Sequence, residues 1–235
     1  MRVLVVGDRG DDDWGFVGER LLERDAHLVR LDRDALPSWA DIAGDGADLV
    51  LLLGSARSAH LPANAAVVEA ESALTRAALD DATPVLAICY GAQLAAYALG
   101  GSVGVSPVPE IGMFAHQSYD PVLCPPGPWA QLHSDAFISP PTARVLGASA
   151  AGCQGFADES RPGRVLAWQF HPEVTAQEFC TWLDQMDAWA RDRGVDVAAV
   201  REQVAAHADE MRAPAHELTD AALAYLVQDR ADGAR

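Results

Sequence analysis

Two side chains in this sequence, Cys89 and His171, stand where an apolar run ends and chemistry could begin. Val85–Ile88 is a short, continuous apolar run opened by Pro84, the pattern of a strand buried on both faces. Gly91 and the Ala/Leu-rich stretch to Leu99 then read as a helix closed by Gly100 and Gly101. No loop residues separate the two, so Cys89 falls on the strand-to-helix turn itself, a nucleophile elbow with sulfur in place of oxygen. Such a turn tolerates only small neighbours, which Ala87 and Gly91 are. A thiol at a helix N-terminus also sits at the positive end of the macrodipole, which favours the thiolate.

The second segment, Val165-Leu166-Ala167-Trp168-Gln169-Phe170, reads as another strand and runs into His171-Pro172-Glu173-Val174. In extended backbone, residues two apart face the same side, so His171 and Glu173 can serve one site, and Pro172 stiffens the step between them. A Cys nucleophile, a His base and a Glu that orients the base form a complete hydrolytic set. His133 is a second candidate base, but no Glu adjoins it in sequence, and His171 is the preferred assignment.

Ala87-Ile88-Cys89-Tyr90-Gly91-Ala92-Gln93 and Gln169-Phe170-His171-Pro172-Glu173-Val174 together resemble the two signatures of class I (triad-type) glutamine amidotransferases. The likeness is closer still to standalone members similar to the glutaminase half of GMP synthetase. It implies an α/β fold with an open, mostly parallel sheet, flanking helices and a helical C-terminal extension. It also implies that Cys89, His171 and Glu173 release ammonia from the glutamine side chain. The loop Gly54-Ser55-Ala56-Arg57-Ser58 matches the position that supplies half of the family's oxyanion hole, here the N–H groups near Gly54 or Ser55. The N–H of Tyr90 would supply the other half. Gln93 is implied as a substrate contact. Glu110-Ile111-Gly112 and His133-Ser134-Asp135 also resemble segments of the same subfamily. The chain departs from the commoner pattern in Gly54-Ser55, usually two glycines, in Ala87, often Gly, and in Ala92, often larger, which leaves the shape of the acyl pocket open.

The implied partners are glutamine as substrate and an ammonia-accepting synthetase or other biosynthetic enzyme. One alternative keeps the chemistry without the partner, as a hydrolase of γ-glutamyl amides or peptides, and is motivated by Ala92. A third reading is a non-catalytic α/β binding module.

Composition narrows the field. The 235 residues carry a formal charge of −17, which argues against a phosphate-binding nucleic-acid surface. All 17 basic residues are Arg, so the Lys of a Walker A loop and the Schiff-base Lys of a pyridoxal enzyme are both missing. No Gly-x-Gly-x-x-Gly follows the first strand, no cofactor is expected, and an ATP-activating site is expected on another polypeptide. Cys89, Cys124, Cys153 and Cys180 lack the spacing of a zinc site, so no metal is expected. No stretch approaches the roughly 18 apolar residues of a membrane span, and Met1 to Val6 is too short for a signal peptide. The expected location is cytoplasmic, with reduced thiols.

The elements that must hold these residues alternate strand and helix, as in an open α/β sheet. Strands are expected at residues 2–6, 27–31 and 48–53, with a helix at 14–24 capped by Asp13 after an acidic loop at 8–13. Residues 100–112 suggest a pair of short strands, and 113–164 hairpins with Pro/Gly-rich turns at 125–128 and 139–141. One helix is expected over 174–192, ended by Gly194, and two further apolar stripes on either side of Pro214. The division expected is an amidotransferase domain at 1–190 and a helical extension at 191–235 packed on it.

Overall fold

Alternation along four short strands decides the layering. The structure is a computed structural model that describes residues 1–10 and 13–227. In chain order its elements begin β1 (Arg2–Gly7), α1 (Gly15–Glu23), β2 (His27–Asp32), α2 (Trp39–Ile42), β3 (Leu49–Leu52), α3 (Ala65–Asp80), β4 (Val85–Ile88) and α4 (Tyr90–Ala98). They continue β5 (Ser102–Phe114), β6 (Gln117–Ser118), β7 (Trp129–Ile138), β8 (Arg144–Ala148), β9 (Cys153–Asp158), β10 (Val165–Trp168), α5 (Ala176–Gln185), α6 (Asp187–Asp192), α7 (Val197–His207) and α8 (Arg212–Val227).

An eight-stranded sheet runs in the order β2-β1-β3-β4-β10-β9-β8-β6. The strands from β2 to β10 are parallel, and β9, β8 and β6 add an antiparallel edge. This is an α/β fold with a mostly parallel central sheet and flanking helices. Val3, Val5, Leu49, Leu51, Leu86 and Ile88 point to one face and pack with Val17 and Leu21 of α1 and Leu218, Ala222 and Leu226 of α8. Their neighbours Leu4, Val6, Val50, Leu52, Val85 and Ala87 point to the other, against Leu74, Ala78 and Leu79 of α3 and Leu94 and Ala95 of α4. Period-two alternation thus separates two apolar layers with one sheet between them. A third cluster joins Ile111 and Met113 of β5 to Phe179 and Leu183 of α5 and Val200 and Val204 of α7.

Several expectations change in detail. Residues 102–114 form one strand paired with β7, with an irregularity between Val105 and Glu110, rather than two short strands. Its prolines fall at that irregularity, where a lost ladder bond costs least. The helix expected over 174–192 divides at Met186 into α5 and α6. Pro214 lies in the first turn of α8 rather than between helices, where its missing N–H is not needed. Asp13 is not the N-cap of α1: Trp14 is, and Asp13 instead accepts a hydrogen bond from the Gly15 N–H at 2.9 Å. Asp11 and Asp12 of the acidic loop and residues 228–235 of the expected extension lie outside the described residues.

Candidate active site

β4 and β10 are adjacent and parallel, with Ile88 opposite Trp168. The next residue on each strand, Cys89 and Gln169, therefore leaves the sheet at the same edge. The Cys89 N–H donates to the Trp168 carbonyl at 2.7 Å, which pins the elbow to β10. Cys89 has φ 52° and ψ −111°, a backbone conformation that L-residues rarely adopt and that a tight surrounding must enforce. The enforcement is visible at Gly91, where a Cβ would lie 2.3 Å from the Leu52 carbonyl oxygen. Ala87 is fully buried.

Beyond Trp168 the chain keeps alternating. Trp168 and Phe170 stack on one side, with Phe170 also against Trp129 at 5.1 Å between centroids. Gln169 and His171 face the other side, toward Cys89. The Gln169 amide Nε2 donates to Cys89 Sγ at 3.6 Å, within range for sulfur. The His171 ring lies beside Cys89, both side chains abutting Gly54, and its Nδ1 lies 2.7 Å from Glu173 Oε1. Burial opposes a charge on the imidazole, but Cys89 and Glu173 outweigh it and hold the His171 pKa well above the ordinary histidine value. Trp182 of α5 meets the His171 ring edge-on at 5.1 Å.

Glu173 is fixed from behind. The Phe16 N–H donates to the Glu173 carbonyl at 2.7 Å, so the start of α1 docks on the backbone of this residue. Gly15, at φ 51°, makes the approach possible, because a Cβ there would lie 1.9 Å from that carbonyl oxygen.

Gly54 closes the site at the end of β3: a Cβ built on it would lie 3.1 Å from His171 Cε1 and 3.6 Å from Cys89 Cβ. Ser55 turns its hydroxyl to Asp8, donating at 2.7 Å, which leaves its backbone as the part available to a ligand. Tyr90 is the first residue of α4, and its N–H is among those that a helix start leaves without an intrahelical partner. The structure thus brings Cys89, His171, Glu173 and Gly54 together, with Ser55 and Tyr90 next in chain. Gln93 is also close but is engaged. Only 3% exposed, it donates to Gln169 Oε1 at 3.2 Å and lies 3.5 Å from the Asp135 carbonyl, so it reaches the sulfur through Gln169.

His133 does have a carboxylate, one that its local sequence does not display. Glu110 sits opposite it across the β5–β7 ladder, with His133 Nε2 at 3.3 Å from Glu110 Oε2. Its other ring nitrogen, Nδ1, lies 3.0 Å from the Asp135 carbonyl. Ala92, on α4, is fully buried in the core with residues of α3, so the departure at this position concerns packing. Burial raises the thiol pKa of Cys124, and pushes that of Cys153 up to about 11. Among the described residues no cluster could hold a metal ion, and no helix is long and apolar enough to cross a membrane.

Four contributors escaped the sequence reading: Gln169 on the sulfur, Trp182 on the imidazole, Gly15 beneath Glu173, and the buried Arg33 behind Gly54. Gln169 had a usable signal, since it precedes His171 by two residues and so shares its face. Arg33 had none.

The geometry sets a buried thiol beside an imidazole that a carboxylate contacts, an arrangement suited to acyl transfer. Residues 19–185 match the family glutamine amidotransferase class-I. The chain is 32% identical over 180 residues to the GMP synthase (glutamine-hydrolyzing) of Mycobacterium marinum, covering 73% of this chain and 32% of that protein. It is 39% identical over 102 residues to a GMP synthase (glutamine-hydrolyzing) subunit of Saccharolobus solfataricus, covering 40% of this chain and 53% of that protein. This chain thus spans about a third of the first relative and about half of the second. Among solved structures, a glutamine amidotransferase from Thermotoga maritima superposes with a TM-score of 0.79 at 22% identity, covering 97% of this chain and 99% of that one. A glutamine amidotransferase from Methylobacillus flagellatus gives 0.71 at 20% identity, over 96% and 95%.

Proposed function

This chain belongs to the class I glutamine amidotransferases, and from that premise we propose that it hydrolyses the glutamine side-chain amide and supplies the ammonia to a partner synthetase. The observation that carries the reading is the placement of Cys89 and His171 together against Gly54, with Glu173 2.7 Å from the His171 ring nitrogen.

In this reading His171 takes the thiol proton, and Cys89 attacks the γ-carbonyl carbon. The tetrahedral oxyanion rests on the N–H groups of Tyr90 and of Gly54 or Ser55. His171 returns a proton to the nitrogen, the C–N bond breaks, and ammonia leaves behind a γ-glutamyl thioester. Water, deprotonated by His171, then cleaves the thioester to glutamate and free thiol, so glutamine and water become glutamate and ammonia. Glu173 keeps the imidazole in one tautomer, and Gln93 supports the γ-amide pocket through Gln169. The partner is proposed because the relatives include a protein named as one subunit of GMP synthase. With Ala92 in the core, nothing at that position favours larger γ-glutamyl amides over glutamine.

The test is intact-mass spectrometry after incubation with an electrophilic glutamine analogue carrying a diazoketone in place of the γ-amide, alongside glutamate release from glutamine. One adduct in the wild type and none in Cys89→Ser is the expected result. A chain that takes no label and releases no glutamate, alone or in cell extract, ends the reading.

A further inference from the structure

Behind the proposed oxyanion hole lies a charged side chain that the catalytic cycle above does not use. Arg33 follows β2 and is 1% exposed. Its guanidinium meets Glu71 of α3, itself fully buried, at 3.2 Å, and Asp8 at 3.4 Å. The remaining donors go to the end of β3: Nη2 donates to the Leu53 carbonyl at 3.0 Å and Nη1 to the Gly54 carbonyl at 3.3 Å. The guanidinium carbon also lies 4.6 Å from the centre of the Tyr90 ring.

These contacts have a consequence for the two backbone donors. A trans peptide is planar, so its N–H points away from its C=O. With the Leu53 and Gly54 carbonyls both drawn to one cation, the N–H groups of Gly54 and Ser55 are turned away from Arg33. The other half of the hole, the Tyr90 N–H, belongs to the residue whose ring lies against the same guanidinium. We propose that Arg33 is the positioning residue of the oxyanion hole, one buried guanidinium that sets the Gly54–Ser55 peptide and packs on Tyr90, so that both N–H donors converge over Cys89. The inference rests on the amidotransferase reading above. A planar fork with five donors can hold two carbonyls, two carboxylates and a ring face at once, which a lysine ammonium cannot.

The experiment compares two reactions of Cys89 that differ only in their need for the hole. p-Nitrophenyl acetate acylates the thiolate through a tetrahedral oxyanion, forming the C–S bond and expelling p-nitrophenolate, and it needs no glutamine pocket. Iodoacetamide alkylates the same sulfur by displacing iodide, with no oxyanion formed. Both rates are taken over a Cys89→Ala background, with glutamine turnover measured in parallel. Arg33→Met is expected to slow acylation and glutamine turnover roughly a hundredfold while alkylation stays close to wild type. Should Arg33→Met lose its thermal unfolding transition, Arg33→Lys carries the test, expected to slow acylation selectively but by less. Equal losses in both reactions, or no loss in either, overturn the inference. A wild type in which both probes modify Cys89 but which takes no label from the glutamine analogue and releases no glutamate, alone or in cell extract, overturns the glutaminase reading instead, and the ratio of the two probe rates still decides the role of Arg33.

Discussion

At the scale of the residue, the sulfur has more partners than a Cys-His-Glu set names. Gln169 donates to Cys89 Sγ at 3.6 Å, and its own oxygen is held by Gln93 at 3.2 Å, so the amide cannot turn over. A hydrogen bond to a charged acceptor is worth about 1.5–3 kcal/mol, and each ~1.4 kcal/mol is a factor of ten. Gln169→Leu keeps much of the volume and removes the donor. Alkylation of Cys89 by iodoacetamide and glutamine turnover should both fall at least about tenfold, with a thermal midpoint near wild type. Unchanged rates would show that the sulfur gains nothing from this amide. The pattern differs from that expected for Arg33, whose loss spares alkylation, so the two variants separate support of the nucleophile from support of the oxyanion.

At the scale of the element, the site depends on where two strands end and where one helix begins. The start of α1 sits on the Glu173 carbonyl, and no side chain fits between them. Gly15→Ala places a methyl in that contact at a positive φ, and overpacking of this kind costs about 1–3 kcal/mol. Because the displaced atom belongs to Glu173, turnover measured well below the melting transition should fall further than in a variant of equal stability loss placed in α3. A fall no greater than in that control would leave α1 as mere support. How much of this was legible follows from where each signal resides. β4, α4 and β10 could be read because continuous apolar runs and flanking small residues are local, and His171 and Glu173 because a period of two is local. Residues 100–112 suggest two short strands because the two segments, 100–103 and 109–112, are separated along the chain, and only the pairing with β7 shows that one ladder resumes at Glu110. The break at Met186 carries no Gly or Pro. Arg33, 38 residues from Glu71 and 20 from Leu53, is placed by the packing of β2, β3 and α3, which no spacing along the chain records.

At the scale of the whole molecule, the first helix and the last close one face of the sheet together. Val17 and Leu21 of α1 share an apolar cluster with Leu218, Ala222 and Leu226 of α8. Ion pairs run along the same seam. Arg212 of α8 meets Glu19 of α1 at 2.6 Å, and Asp220 accepts from Arg20 at 2.9 and 2.6 Å and pairs with Arg24 at 2.7 Å. In a chain of net charge −17 such pairing also relieves repulsion among carboxylates. The hydrogen bonds from Arg20 dominate the lowering of the Asp220 pKa from 3.8 to about 2, against the opposing effect of burial. A carboxyl whose folded pKa is depressed contributes stability above its unfolded value, and that contribution is lost as pH falls through the folded one. The gap in denaturant midpoint between the wild type and Asp220→Asn should therefore be constant from neutrality down to about pH 4. It should close as pH falls from 3.8 toward 2, and shrink at high salt because the pair is partly exposed. A gap independent of pH would mean that Asp220 joins α8 to α1 by shape alone, and that the seam is held by Leu218 and its neighbours without help from charge.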